Sequence, residues 1–164
     1  MAQRDELALL PLIEAQAGER LRGHPAAALF AASPTEPQLF EQAWQRGMLW
    51  VVASEQELAG YLMAGVLGED LHIQQMDVVP AHGRKGLGRA LLRHAMEQAR
   101  ARGHQRAVLT TLSDVAWNAP FYASEGFREW PSQDWSAGMR EVMAAEAAAG
   151  FPMELRLAMQ RALA

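Results

Sequence analysis

The sequence contains no cysteine, only two tyrosines, and no apolar run close to the roughly 18 uncharged residues of a membrane span. Without cysteine there is no disulfide framework and no thiolate metal site. The five histidines, at positions 24, 72, 82, 94 and 104, lack the paired spacing of metal ligands, so no metal is expected. Arg4, Asp5, Glu6, Glu14, Glu19 and Arg20 break up the N-terminal segment, which argues against a signal-peptide core there. These absences predict a soluble, cytoplasmic protein. Its 164 residues are enough for a single domain over 1–164 with its own core.

What is present is unevenly charged. The net charge is −4. Residues 82–106 hold seven bases (Arg84, Lys85, Arg89, Arg93, Arg100, Arg102, Arg106) against one acid, Glu97, a local charge of +6. The remainder holds 8 bases and 18 acids, a charge of −10. A local positive field on an acidic chain favours a compact anion over a long polyanion. The expected partner is therefore a small anionic ligand, with no nucleic acid and no membrane surface.

Periodicity supplies a coarse architecture. Leu7, Leu10, Ile13, Ala17 and Leu21 recur at helical steps over 4–20, with Pro11 kinking or restarting the helix. Residues 23–37 read as a connection or short helix, and 37–46 as a helix closed by Gly47. Strands are expected at 48–53, 58–68 and 69–79, the last ending at Pro80. A long helix follows over 86–102, with Leu87, Leu91, Leu92, Ala95 and Ala99 on one face and Gly103 as its stop. A strand at 106–112, a short helix at 118–124, a strand at 127–130 and an Ala-rich helix at 134–149 complete the pattern. Residues 152–160 suit a last strand or a helix. Short turns between strands imply antiparallel pairing, and the strand–helix–strand passage implies a parallel crossover. The fold class is α/β (α+β) with a mixed sheet.

The segment "HGRKGLGRALL" at 82–92 leaves the C-terminal end of a strand, where ligands collect in such sheets. Gly86 and Gly88 permit a sharp turn and close backbone approach. The first amides of the helix have no partner within it, and its dipole adds positive charge. Arg84 and Lys85 add full charges, and together these features suit a diphosphate. Two other phosphate motifs are excluded. A nucleotide P-loop needs Lys-Ser/Thr after its last glycine, and here Arg89-Ala90 follow Gly88. The dinucleotide fingerprint needs a third glycine where Leu91 stands.

"VVPAHGRKGLGRALL" resembles the acetyl-CoA-binding segment of the GCN5-related N-acetyltransferases, in which a strand and a Pro precede [QR]-x-x-G-x-[GA] and a long helix. Gly86 and Gly88 occupy the two small positions, and Pro80 is correctly spaced before them. Gly83 stands at the Gln/Arg position, with Arg84 beside it. "DVAWNAPFYASEGF" at 114–127 is similar to the second segment of a bacterial subgroup carrying "WNAPFY". The family fold normally begins with a strand before its first helix, so that strand is expected to be short or absent here.

The resemblance implies a splayed mixed sheet with helices on both faces and acetyl-CoA as co-substrate. It implies cofactor contacts from Val78, Val79, Gly83, Arg84, Lys85, Gly86, Leu87, Gly88, Arg89 and Asn118. The Val78 amide would polarise the thioester carbonyl. Tyr122 would act as general acid, since a phenol of pKa about 10 can protonate a departing thiolate. Trp117 and Phe121 are expected to pack in the core. The base is open: Gln74 and Gln75 stand where many members keep an acid, which leaves His72, Asp77, Glu14 or water. Glu14, Glu19, Glu36 and Glu41 suit a cationic amine at the N-terminal side. The expected reaction is acetyl transfer to a primary amine of a small molecule or peptide, by a monomer or a homodimer. An acyl-CoA-binding sensor or catalytically inactive relative is the alternative, and a relative acting on macromolecules such as ribosomal protein N-termini is a third reading.

Overall fold

The computed structural model describes residues 1–163. Pro11 does restart the first helix: a 3-10 turn over Arg4–Leu9 gives way to α1 (Leu10–Gly18), with the proline in the first helical turn, where its missing N–H costs nothing. A second 3-10 turn, Glu19–Leu21, follows. The proline-bearing stretch after it contains one short helix, α2 (Ala27–Ala32). α3 (Pro37–Gln45) again starts on a proline and stops before Gly47, whose φ of +67° ends it.

Then come β1 (Leu49–Ser54), β2 (Glu57–Leu67) and β3 (Asp70–Val78). α4 (Leu87–Ala101) runs to Gly103, at φ +89°, and leads to β4 (Arg106–Leu112). α5 (Ala119–Ser124), β5 (Arg128–Glu129), α6 (Ala137–Ala148) and β6 (Arg156–Ala162) close the chain. The strand order is β1-β2-β3-β4-β6-β5. β1 and β2 are antiparallel, β3 and β4 parallel through Leu71↔Ala107 and His72↔Val108, and β4 and β6 antiparallel from Arg106↔Ala162 to Leu112↔Arg156. The sheet is therefore mixed, as the connection lengths imply. The segment that suits strand or helix is a strand, and β6 pairs with both β4 and β5. Among the described residues no strand precedes the first helix. Ala2 instead donates its N–H to the Leu49 carbonyl at 3.0 Å and accepts from the Trp44 indole at 3.1 Å.

The chain divides into two compact units. The first comprises Met1–Gly65 and Ile73–Gln98. Leu10, Ile13, Phe40, Ala43, Leu49, Tyr61 and Met63 form a core within it, with the Phe40 and Tyr61 rings edge to face at 5.4 Å. α4 buries Leu91, Leu92, Ala95, Met96 and Ala99 and leaves Arg89, Arg93 and Arg100 exposed, the amphipathic division its sequence requires. The second unit comprises Val66–His72 and Ala99–Ala164, and its core holds Val108, Trp130, Met139, Met143 and Ala158. There Arg106 forks onto the Asp70 carboxylate at 2.7 and 2.9 Å and lies over the Trp130 ring. Among the described residues no helix is long and apolar enough to cross a membrane.

Candidate active site

The connection from β3 to α4 is built on backbone handedness. A 3-10 turn at Pro80–His82 leads to Gly83, followed by positive φ at Arg84 (+62°) and Gly86 (+78°) on either side of Lys85. Residues of opposite handedness in succession turn their N–H groups toward one side and form a concave anion site. The Gly86 carbonyl accepts from the Ala90 N–H at 2.9 Å, which makes Gly86 the residue on which α4 begins. The amides of Leu87, Gly88 and Arg89 thus fall in the first turn, where no helical carbonyl can take them. A Cβ added at Gly86 would meet nothing within 4 Å, so the space in front of the turn is open.

Arg84, Lys85 and Arg89 are exposed. Lys85 rests on Glu55 of the β1–β2 turn at 3.3 Å, an exposed pair worth about 0–1 kcal/mol and easily exchanged for a stronger anion. His82, at the entrance to the loop, keeps its Nδ1 buried without a hydrogen-bond partner. Open space, first-turn amides that no helical carbonyl takes, and a cation held only by an exposed ion pair fit the diphosphate of an acyl-CoA.

At the end of β3, Val79 is fully engaged. Its N–H donates to the Ala59 carbonyl at 2.8 Å, its carbonyl accepts from His82 at 2.9 Å, and its side chain packs on the first core. Val79 therefore fixes the strand end, with its N–H committed to β2. Because successive strand amides point to opposite edges, the Val78 N–H projects from the edge of β3 away from β2. Gly60 permits the close approach of β2 here, since a Cβ at that position would lie 2.6 Å from the Asp77 carbonyl oxygen.

Of the candidate bases, Asp77 has the distinctive geometry. Tyr61 Oη and Gln75 Nε2 both donate to its Oδ2 at 2.8 Å. Its Oδ1 has no partner among the described residues. Burial, with the nearby Glu14 charge adding, pushes the Asp77 carboxyl up to about 6 against the opposing pull of the Gln75 and Tyr61 hydrogen bonds. Burial and the charges of Asp77 and Glu14 raise the Tyr61 phenol far above its ordinary range, so it remains a donor. Glu14 is committed to Thr35, accepting from its N–H at 3.0 Å and its hydroxyl at 2.8 Å.

The Glu14–Glu41 wall is dispersed: Glu41 faces Arg4 at 3.8 Å, and Glu19 and Glu36 are exposed. His72 lies in the second unit, where burial lowers its pKa and outweighs the opposing charge of Glu146, so it is neutral near pH 7. Asp77 stands in the sequence as one of several possible bases; Tyr61 and Thr35, which the structure sets beside Asp77 and Glu14, carry no sequence signal because their contacts depend on which strands and turns become neighbours.

In the second unit, Asn118 precedes α5. Its carbonyl accepts from the Tyr122 N–H at 3.0 Å, while its side-chain amide caps nothing. Tyr122 is buried, with its ring edge to face against Phe121 at 5.3 Å and Phe127 at 5.7 Å. Phe121 is half-buried against Tyr122, whereas Trp117 is 44% exposed, because it falls on the loop before the α5 turn instead of on the face that α5 buries.

A mixed sheet whose third strand passes through a cationic, glycine-bearing loop into a long helix places the protein in the α/β class. The model of the acetyltransferase (GNAT) family matches residues 18–127, about two thirds of the chain. The chain belongs to that family and is an acetyl-CoA-dependent acyltransferase of the N-acetyltransferase class.

Solved structures share the fold. The ribosomal-protein-S18-alanine N-acetyltransferase from Escherichia coli is 18% identical with a TM-score of 0.66, covering 99% of this chain and 91% of its own. The PaiA N-acetyltransferase from Thermoplasma acidophilum, solved with coenzyme A, is 12% identical with a TM-score of 0.71, covering 96% and 93%. The N-acetylglutamate synthase from Neisseria gonorrhoeae, solved with coenzyme A and N-acetyl-glutamate, is 16% identical with a TM-score of 0.70, covering 95% of this chain and 33% of its own.

Proposed function

We propose that the protein, acting as one domain over 1–164, transfers the acetyl group of acetyl-CoA to a primary amine of a small molecule or peptide. The observation that carries this reading is the Gly83–Gly88 loop, with left-handed Arg84 and Gly86 and open space at Gly86 where α4 begins. Acetyl-CoA supplies an activated acyl group as a thioester. The amides of Leu87, Gly88 and Arg89 and the side chains of Arg84, Lys85 and Arg89 hold its diphosphate. The outward Val78 N–H polarises the acyl carbonyl, and the uncapped Asn118 amide holds the pantetheine arm.

Asp77 is the base in this reading. As the acceptor nitrogen bonds to the acyl carbon, its N–H becomes acidic. A carboxylate with a pKa about 6 and one open oxygen is suited to take that proton at neutral pH. Tyr122 donates its phenolic proton to the sulfur as the C–S bond breaks. The charge of Asp77, with Glu14 behind it, favours an acceptor that arrives as an ammonium, which gives up one proton to solvent before its neutral nitrogen attacks.

Thiol release from acetyl-CoA across a panel of primary amines tests the reaction. At least one amine is expected to support release, and binding of acetyl-CoA without release for any amine would instead favour the acyl-CoA sensor. With the best amine, Tyr122→Phe is expected to lower kcat about 10²- to 10⁴-fold while leaving acetyl-CoA affinity and melting temperature near wild type. The effect should shrink with an acyl donor whose thiol is a better leaving group. Turnover at the wild-type rate would assign the acid elsewhere, and unfolding would make Tyr122 a core residue only.

A further inference from the structure

Position 83 shows where a second segment of the chain reaches this loop. Gly83 has φ −63° and ψ 161°, a conformation open to any residue, so its backbone does not require glycine. A side chain there would first meet the movable end of an arginine. A Cβ built on Gly83 would lie 2.7 Å from Nη2 of Arg20 and 3.1 Å from the Pro80 carbonyl oxygen. The half-buried Arg20, from the 3-10 turn that follows α1, thus sets its guanidinium where a side chain of residue 83 would begin. Two segments far apart in sequence are thereby joined in one place, and a third cation comes to a loop that already carries Arg84 and Lys85.

We infer that Arg20 is a diphosphate-binding residue, which supplies from the N-terminal segment the cationic side chain that position 83 does not provide. This inference rests on the acetyl-CoA reading of the loop. A planar guanidinium suits the task, since its fork can donate to two phosphate oxygens at once, which a lysine ammonium cannot match. Glycine at 83 and arginine at 20 are then two halves of one arrangement: a side chain at 83 would displace the guanidinium, and loss of the guanidinium leaves room for a side chain.

The test is calorimetric titration of the full chain with coenzyme A and with dephospho-coenzyme A, which keeps the diphosphate and lacks the ribose phosphate. Arg20→Ala is expected to weaken both ligands by the same factor, about tenfold to a hundredfold, the loss of a charge-assisted hydrogen bond. Arg20→Ala with Gly83→Arg is expected to recover most of that loss, because the new side chain enters the vacated space. Wild-type affinity in Arg20→Ala would overturn the inference, as would a loss confined to coenzyme A, which would move Arg20 to the ribose phosphate. If Arg20→Ala fails to fold, Arg20→Gln is titrated in its place with the same expectation. Failure of the wild type to bind either ligand would count against the acetyl-CoA reading itself, a result separate from any effect of Arg20.

Discussion

Gly86→Asp is expected to abolish acetyl-CoA binding, raising Kd at least about a hundredfold, while the protein still folds. Gly86 sits at φ +78°, where a β-carbon costs about 1–2 kcal/mol, and aspartate is among the residues that tolerate that region best. No atom lies within 4 Å of the added Cβ, so there is no clash in the free protein. The new carboxylate also lies at the N-terminus of α4, where the helix dipole favours negative charge and offsets part of the backbone cost. The features that spare the fold destroy the site, because the carboxylate occupies the amides meant for a phosphate and repels its charge. Gly88→Asp should act by blocking backbone approach and by charge, without a left-handed backbone cost, since Gly88 lies within α4. Calorimetric titration with acetyl-CoA, paired with a thermal melt, reads both quantities. Binding of either variant within threefold of wild type would remove this loop from the site.

Asp77→Asn is expected to lower turnover about 10²- to 10⁴-fold and, at neutral pH, to raise the melting temperature. The two effects have one cause. The carboxyl titrates at about 6 in the folded protein against 3.8 ordinarily. Between those values the folded chain binds more protons than the unfolded chain, so stability falls as pH rises from about 4 to about 6 and stays lowered above that. Asparagine has the same shape and no charge. Its oxygen still accepts from Tyr61 and Gln75, and its amide replaces the open Oδ1. The variant should therefore lack the fall in stability and also the ascending limb of kcat/KM near pH 6. Melting curves from pH 4 to 8 and a pH–rate profile decide the matter. A variant that is less stable than wild type at pH 7, or one that keeps the limb near pH 6, would make Asp77 a structural residue.

Much of this was legible in the sequence where local chemistry decides structure. The strand at 106–112 matches its expected bounds because its apolar run is closed on both sides by polar, helix-ending and turn residues. Gly47 and Gly103 mark helix ends because only a left-handed residue closes them cheaply. The loop between β3 and α4 was visible as glycines and cations at the mouth of a helix. The features that were hidden depend on long-range pairing. Residues 152–160 carry a pattern that suits helix or strand, and β6 is a strand because β4 and β5 both pair with it. The Tyr61–Asp77 contact depends on the register of β2 against β3, and the Arg20–Gly83 contact on where the turn after α1 comes to rest. The exposure of Trp117 likewise follows from the loop it sits on, which its apolar character alone does not reveal.

Titration of the purified protein with acetyl-CoA decides whether this chain binds that co-substrate. Saturable binding is expected, with a Kd in the micromolar range and, at 100 times Kd, a thermal stabilisation of about 2.7 kcal/mol. No heat of binding and no shift in melting temperature at millimolar acetyl-CoA would contradict it.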